Sequence, residues 1–206
     1  MVTSIRAAFA SAFVLSAVVL AQPPLNQGTR TDRDVEALQQ WTVNLEGYLV
    51  LRDQAMQDVN RPSTSSTPRE FLEAQWKLAA AIRARRPDAR VGDLFTFEVR
   101  RTFRKTIARA LTDHQIVVDD LIAAITSEIV AGAPAVKVNQ PFPWQLGAAM
   151  PPCVLAALPS LPQELQYRLV GHDLILIDFD ANLVIDILPE AIPRPAGSRA
   201  PVGPVR

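Results

Sequence analysis

The stretch Leu165-Gln166-Tyr167-Arg168-Leu169-Val170-Gly171-His172-Asp173-Leu174-Ile175-Leu176-Ile177-Asp178-Phe179-Asp180-Ala181-Asn182-Leu183-Val184-Ile185-Asp186-Ile187-Leu188 decides the fold class. Leucine, isoleucine and valine crowd three runs, at 165–170, 174–177 and 183–188. Between the runs stand Gly171-His172-Asp173 and Asp180-Ala181-Asn182, residue types that turn a chain. A small antiparallel β-meander is expected. Residues 31–130 have the opposite texture, with apolar residues at spacings of three and four. The chain therefore reads as an α+β protein, mainly α: a four-helix domain, a proline-rich wrapping segment and a small C-terminal antiparallel β-meander.

The first helix is expected from Thr31, with Asp34 three residues on as in a capping box, and its stripe carries Val35, Leu38, Leu45, Leu49 and Met56. Gly47 weakens it by about 1 kcal/mol relative to alanine. It ends near Asn60-Arg61-Pro62, and a polar linker at 63–66 follows. Thr67-Pro68-Arg69-Glu70 opens the second helix with an N-cap threonine, proline at the first helical position and glutamate three residues after the cap. It carries Phe71, Leu72, Gln75, Leu78, Ala79 and Ile82 on one face, and it stops before Pro87. A third helix from Thr96 buries Val99, Phe103, Ile107, Ala110 and Leu111. A fourth, from about Asp113 to Val130, turns Val118, Leu121, Ile122, Ile125 and Ile129 inward before Gly132 and Pro134. The seven prolines from Pro134 to Pro162 preclude a long regular element, while Phe142, Trp144, Leu146, Val154 and Leu155 make the segment too apolar to float free. It is expected to wrap along the helices. The tail at 193–206, with no aromatic residue, is expected to be disordered.

Residues 1–21 carry one cation, Arg6, then an uncharged run from Ala7 to Leu20 and a small residue, Ala21, before Gln22-Pro23-Pro24. That is the pattern of a cleavable secretory signal peptide, and it places the protein in the periplasm or outside the cell. The run is shorter than the ~20 residues needed to span a bilayer, so no stable membrane span is expected in the mature chain. What remains, residues 22–192 and the tail, is sized for a single domain with a proper core. The whole chain has 21 basic and 21 acidic residues. A balance like this argues against a nucleic-acid partner. One cysteine, Cys153, permits no intramolecular disulfide, and its apolar setting reads as buried and inert.

Candidate chemistry is confined to small groups. His114 and His172 lie far apart and have no second histidine or cysteine at ligand spacing, so no metal and no cofactor is expected. Asp178-Phe179-Asp180-Ala181-Asn182 resembles the opening of a calcium loop in its alternating oxygen-bearing residues. Its continuation fails, with Leu183 where glycine is needed and Pro189 where the bidentate glutamate belongs, and the plain reading is a β-turn. An enzyme or a weak metal-binding protein built on this region would use His172, Asp173, Asp178, Asp180 and Asn182, and would need them to converge in a pocket.

Charge is segregated. Residues 83–109 hold nine basic against three acidic side chains, and residues 164–190 hold six acidic against one basic. Arg83, Arg86, Arg100, Arg101 and Arg104 form a basic surface that would meet an envelope protein or an anionic envelope component, unless ridge and meander simply neutralise each other within one fold.

The stretch 80–96 (Ala-Ala-Ile-Arg-Ala-Arg-Arg-Pro-Asp-Ala-Arg-Val-Gly-Asp-Leu-Phe-Thr), together with 167–174 and 182–186, resembles an uncharacterised group of exported bacterial proteins, which brings no activity with it. The second block, in Val170-Gly171-His172-Asp173 and Val184-Ile185-Asp186, is also similar to the short C-terminal hairpin of periplasmic nickel/cobalt-homeostasis proteins. The histidine-rich character of those proteins is missing, so no metal ligand carries over. The function expected from all this is non-catalytic binding or structural work in the periplasm, with the meander and its turns as the contact surface.

Overall fold

The structure, a computed structural model, describes residues 26–59, 67–146 and 150–194. The expected signal peptide, the linker at 63–66 and the tail beyond Arg194 lie outside the described residues. The chain is a mainly helical α+β protein. Helices α1 (Asn26–Gln57), α2 (Pro68–Arg85), α3 (Phe97–Asp113) and α4 (Val118–Ser127) come first, then a 3-10 turn (Trp144–Leu146) and a short α5 (Pro152–Ala157). Strands β1 (Leu165–Val170), β2 (Asp173–Asp178) and β3 (Leu183–Leu188) follow. They pair antiparallel in the order β1-β2-β3.

The capping box of α2 forms in full. Thr67 Oγ1 accepts from the Glu70 amide at 3.3 Å, and Glu70 Oε2 accepts from the Thr67 amide at 2.6 Å. Helix α1 differs from the expected start, beginning five residues before Thr31. Asp34 sits well inside it and turns to α3 instead, accepting from Thr102 Oγ1 at 3.1 Å and pairing with Lys105. The fourth helix was expected from Asp113, but that residue closes α3. Gln115 takes a left-handed conformation at φ +54°, and the Ile116 amide reaches back to the Leu111 carbonyl at 2.9 Å. This Schellman-type closure ends α3 without a glycine and delays α4 to Val118.

Three layers result, with the helices on one face of the sheet and part of the proline-rich segment on the other. Leu165, Tyr167, Leu169, Leu174 and Leu176 face the helices and join Trp41, Leu78, Ile82, Phe95 and Phe103 in the main core. Trp41 stacks on Phe95 with ring centroids 5.0 Å apart, and Phe103 lies tilted against it at the same distance. On the far face Ile175, Ile177, Val184 and Ile187 are covered by Phe142, Val136 and Val138. Burial on both faces explains why β2 and β3 read as nearly continuous apolar runs and not as alternating ones. The proline-rich segment thus divides its work. Its first half covers the sheet and hydrogen-bonds along β3 (Asn139 amide to Val184 carbonyl and Val184 amide to Gln140 carbonyl, both 2.9 Å), while α5 packs on α3 through Val154 and Leu158.

One irregularity places a functional group. Leu176 stands opposite Asp186 and Ile177 opposite Val184, which makes Ile185 an extra residue in β3. A β-bulge of this kind re-aims the side chains beside it. Ile185 joins the helix-side core, and Asp186 meets the loop between α2 and α3.

Candidate functional site

The carboxylates in the meander serve the fold. Asp178 is fully buried, and it accepts from Tyr48 Oη at 2.8 Å, Arg52 Nε at 2.8 Å and the Ala181 amide at 2.9 Å. Arg52, 3% exposed, extends Nη2 to Asp180 at 2.6 Å. Burial pushes the Asp178 carboxyl above the ordinary carboxylate range, with the Arg52 charge pulling it back. Burial and the neighbouring Asp178 also raise the Tyr48 phenol well above its usual value. Every Asp178 oxygen has a partner, so the group acts as a rivet between α1 and the β2–β3 turn. The Asp178-to-Asn182 motif is the β-turn reading made concrete, with Asn182 left-handed at φ +44°.

Asp186, also fully buried, accepts from the amides of Gly92, Leu94, Phe95 and Ile187, each at 2.7 Å. Burial raises its carboxyl, and the four amides oppose the shift. Gly92, at φ +99°, holds a backbone conformation that a side chain would strain, and a Cβ there would also displace the Arg100 guanidinium. Sequence reasoning gave Asp186 no role. Its only signal was a charged residue inside an otherwise apolar strand.

His172 and Asp173 lie at the opposite end of β2 from Asp178, about 17 Å away at strand rise. They anchor the chain that leaves β3: His172 Nδ1 lies 3.0 Å from the Ile192 carbonyl, and Asp173 accepts from the Glu190 amide at 2.8 Å. The five residues that an enzyme or metal site would need together are therefore held as two separate groups. Among the described residues no cluster of three or more histidines, cysteines or acids is arranged to hold a metal ion. Cys153 is half-buried on α5.

The basic ridge is drawn largely into the fold. Arg86 donates to the Ile185 carbonyl at 3.1 Å and lies over the Tyr48 ring, and burial lowers its pKa. Arg100 reaches the Phe95 and Val91 carbonyls, while Arg104 donates to the carbonyls of Pro189 and Glu190. Arg101 pairs with Glu98 at 3.0 Å. Only Arg83 of the five makes no such tie among the described residues. These arginines act mainly as latches between α2, α3 and the sheet.

A surface feature of another kind stands beside the Arg52 rivet. Helix α2 keeps an apolar stripe from Pro68 to Leu78, but only Leu78, Ala79 and Ile82 are buried, while Phe71 and Leu72 are each 49% exposed. They form one wall of a groove of about 730 Å³. Met56 of α1 and Val59 just beyond its end also line it. Phe179 and Asp180 of the β2–β3 turn close one end, next to Arg52 and Glu164. The sequence places Phe71 and Leu72 on the same helix face as Leu78 and Ile82, but periodicity shows which side of a helix is apolar and not how far its packing partner extends.

No protein-family model matches the chain, and no curated protein or solved structure is significantly similar to it. The likenesses in 80–96 and 167–186 thus attach it to no characterised family, and function must be argued from the groove and its surroundings. No helix among the described residues is long and apolar enough to cross a membrane.

Proposed function

We propose that this is an exported, non-catalytic binding protein whose contact surface is the groove between α1, α2 and the β2–β3 turn. One observation carries the reading: the apolar stripe of α2 continues beyond the element that buries it, leaving Phe71 and Leu72 half-exposed over a groove of about 730 Å³. A groove of this size falls within the range of ligand sites, and exposed aromatic and aliphatic side chains grouped around a concavity mark contact surfaces. Asp178, which holds the groove's Arg52, is saturated by structural partners, and this supports binding over catalysis. The β2–β3 turn lines the groove, while the arginine ridge, engaged within the fold, lends less support to an anionic envelope component than to an envelope protein as partner.

An environment-sensitive apolar dye tests the site. The folded protein should bind it with a fluorescence rise that Leu72→Lys abolishes while the circular dichroism spectrum stays unchanged. No dye binding, or binding indifferent to Leu72→Lys, refutes the groove as the contact surface. Export is tested separately by fractionation and N-terminal sequencing. A periplasmic protein that begins at Gln22 is expected, and a cytoplasmic full-length chain would overturn that part of the reading.

A further inference from the structure

Resting on the reading above, we infer that the groove takes an amphipathic helix of a partner protein, apolar on the face that enters and basic at the end that meets Asp180 and Glu164. Shape gives the first half of the argument. The wall on α2 runs from Pro68 to Leu78, about 15 Å at helical rise, which matches nearly three turns of a partner helix. The groove is an open trough, for Phe71, Leu72 and Phe179 are all about half exposed. Small ligands are held by sites that enclose most of their surface, whereas a helix lies in an open groove with its polar face left in water. Trp76, one turn beyond Leu72 on α2, is a further exposed apolar side chain at 65%.

Charge gives the second half. Among the described residues that line the groove the one cation, Arg52, is divided between Asp178 and Asp180. Glu164 is fixed beside them because its carbonyl accepts the Phe179 amide at 2.8 Å. Asp178 and Asp180 thus share one guanidinium, Glu164 lines the same groove, and the Asp180 side chain remains 50% exposed. A lysine or arginine on the incoming helix would correct the imbalance, and an acidic residue would worsen it.

The test is fluorescence anisotropy with two labelled model peptides, a Leu/Lys amphipathic helix and its Leu/Glu counterpart, titrated with the whole protein. The Leu/Lys peptide should bind, about tenfold more weakly to Glu164→Lys and to Leu72→Lys, and the Leu/Glu peptide should not. Equal binding of both peptides, or Leu/Lys binding unchanged in both variants, overturns the inference. Dye binding that depends on Leu72, with no binding of either peptide, overturns the helical occupant and leaves the groove as the contact surface. Failure of dye and peptides together removes both readings.

Discussion

Arg52 and Asp178 show why a charge inside a fold is judged by what happens when its partner goes. In Asp178→Ala the arginine stays 3% exposed with Asp180 as its remaining partner, and Tyr48 loses its acceptor. The expected cost is about 3–5 kcal/mol in urea unfolding, as for other buried pairs broken on one side. The double variant Arg52→Met, Asp178→Leu should cost less than the single one, because an apolar pair leaves no uncompensated charge. Asp34 is the opposite case in sign. Its hydrogen bond from Lys105 holds the carboxyl below the ordinary carboxylate range, so its contribution is complete above that range and is lost as pH falls through its own lowered value. Asp178 and Asp186, raised by burial, weigh against the fold as pH rises from the ordinary range to their higher values. Asp34→Asn should therefore be less stable than the parent at neutral pH, and the gap should narrow below about pH 4. A gap that persists unchanged at acid pH would show that Asp34 works through shape and not through charge.

At the level of elements, α1 contains a defect that can be removed. Gly47 lies in the interior of the helix with nothing within 4 Å of where a Cβ would stand. Gly47→Ala should raise stability by about 1 kcal/mol, seen as a higher melting temperature, and a lower one would mean that α1 bends or packs at this point. The elements also show what a sequence discloses and what it withholds. The box at Thr67 and the turns at Gly171 and Asn182 were legible because each is written in a few adjacent residues with fixed stereochemical demands. The end of α3 at Gln115 was not, since a non-glycine left-handed residue leaves no compositional mark. The groove was hidden for another reason. Phe71 and Leu72 have the spacing of core residues, and only the reach of α1 and the sheet determines that they stay uncovered. Asp178 was named as a candidate without its partner, because Arg52 is 126 residues away and no local pattern joins them.

Taken whole, the molecule buries β2 and β3 of its sheet on both faces. Phe142, 1% exposed, fills the far face against Ile175, Ile177 and Val184, so the covering segment belongs to the core even though it has little regular structure. Phe142→Ala should cost about 3–5 kcal/mol and leave a single cooperative transition. An early separate loss of the sheet signal would show instead that the covering layer is dispensable to the helices.

The separation between Arg52 and its partner also has a consequence in time. A chain that leaves the ribosome N-terminus first lets Trp41 meet Phe95 and Phe103 early, but Arg52 lacks Asp178, and the helix-side core lacks Leu165, Tyr167 and Leu174, until the last strands arrive. Completion of the core is thus deferred to the end of synthesis. A ribosome-stalled nascent chain ending at Glu164 should remain protease-sensitive throughout, and a protected helical fragment at that length would show that the helices do not wait for the sheet.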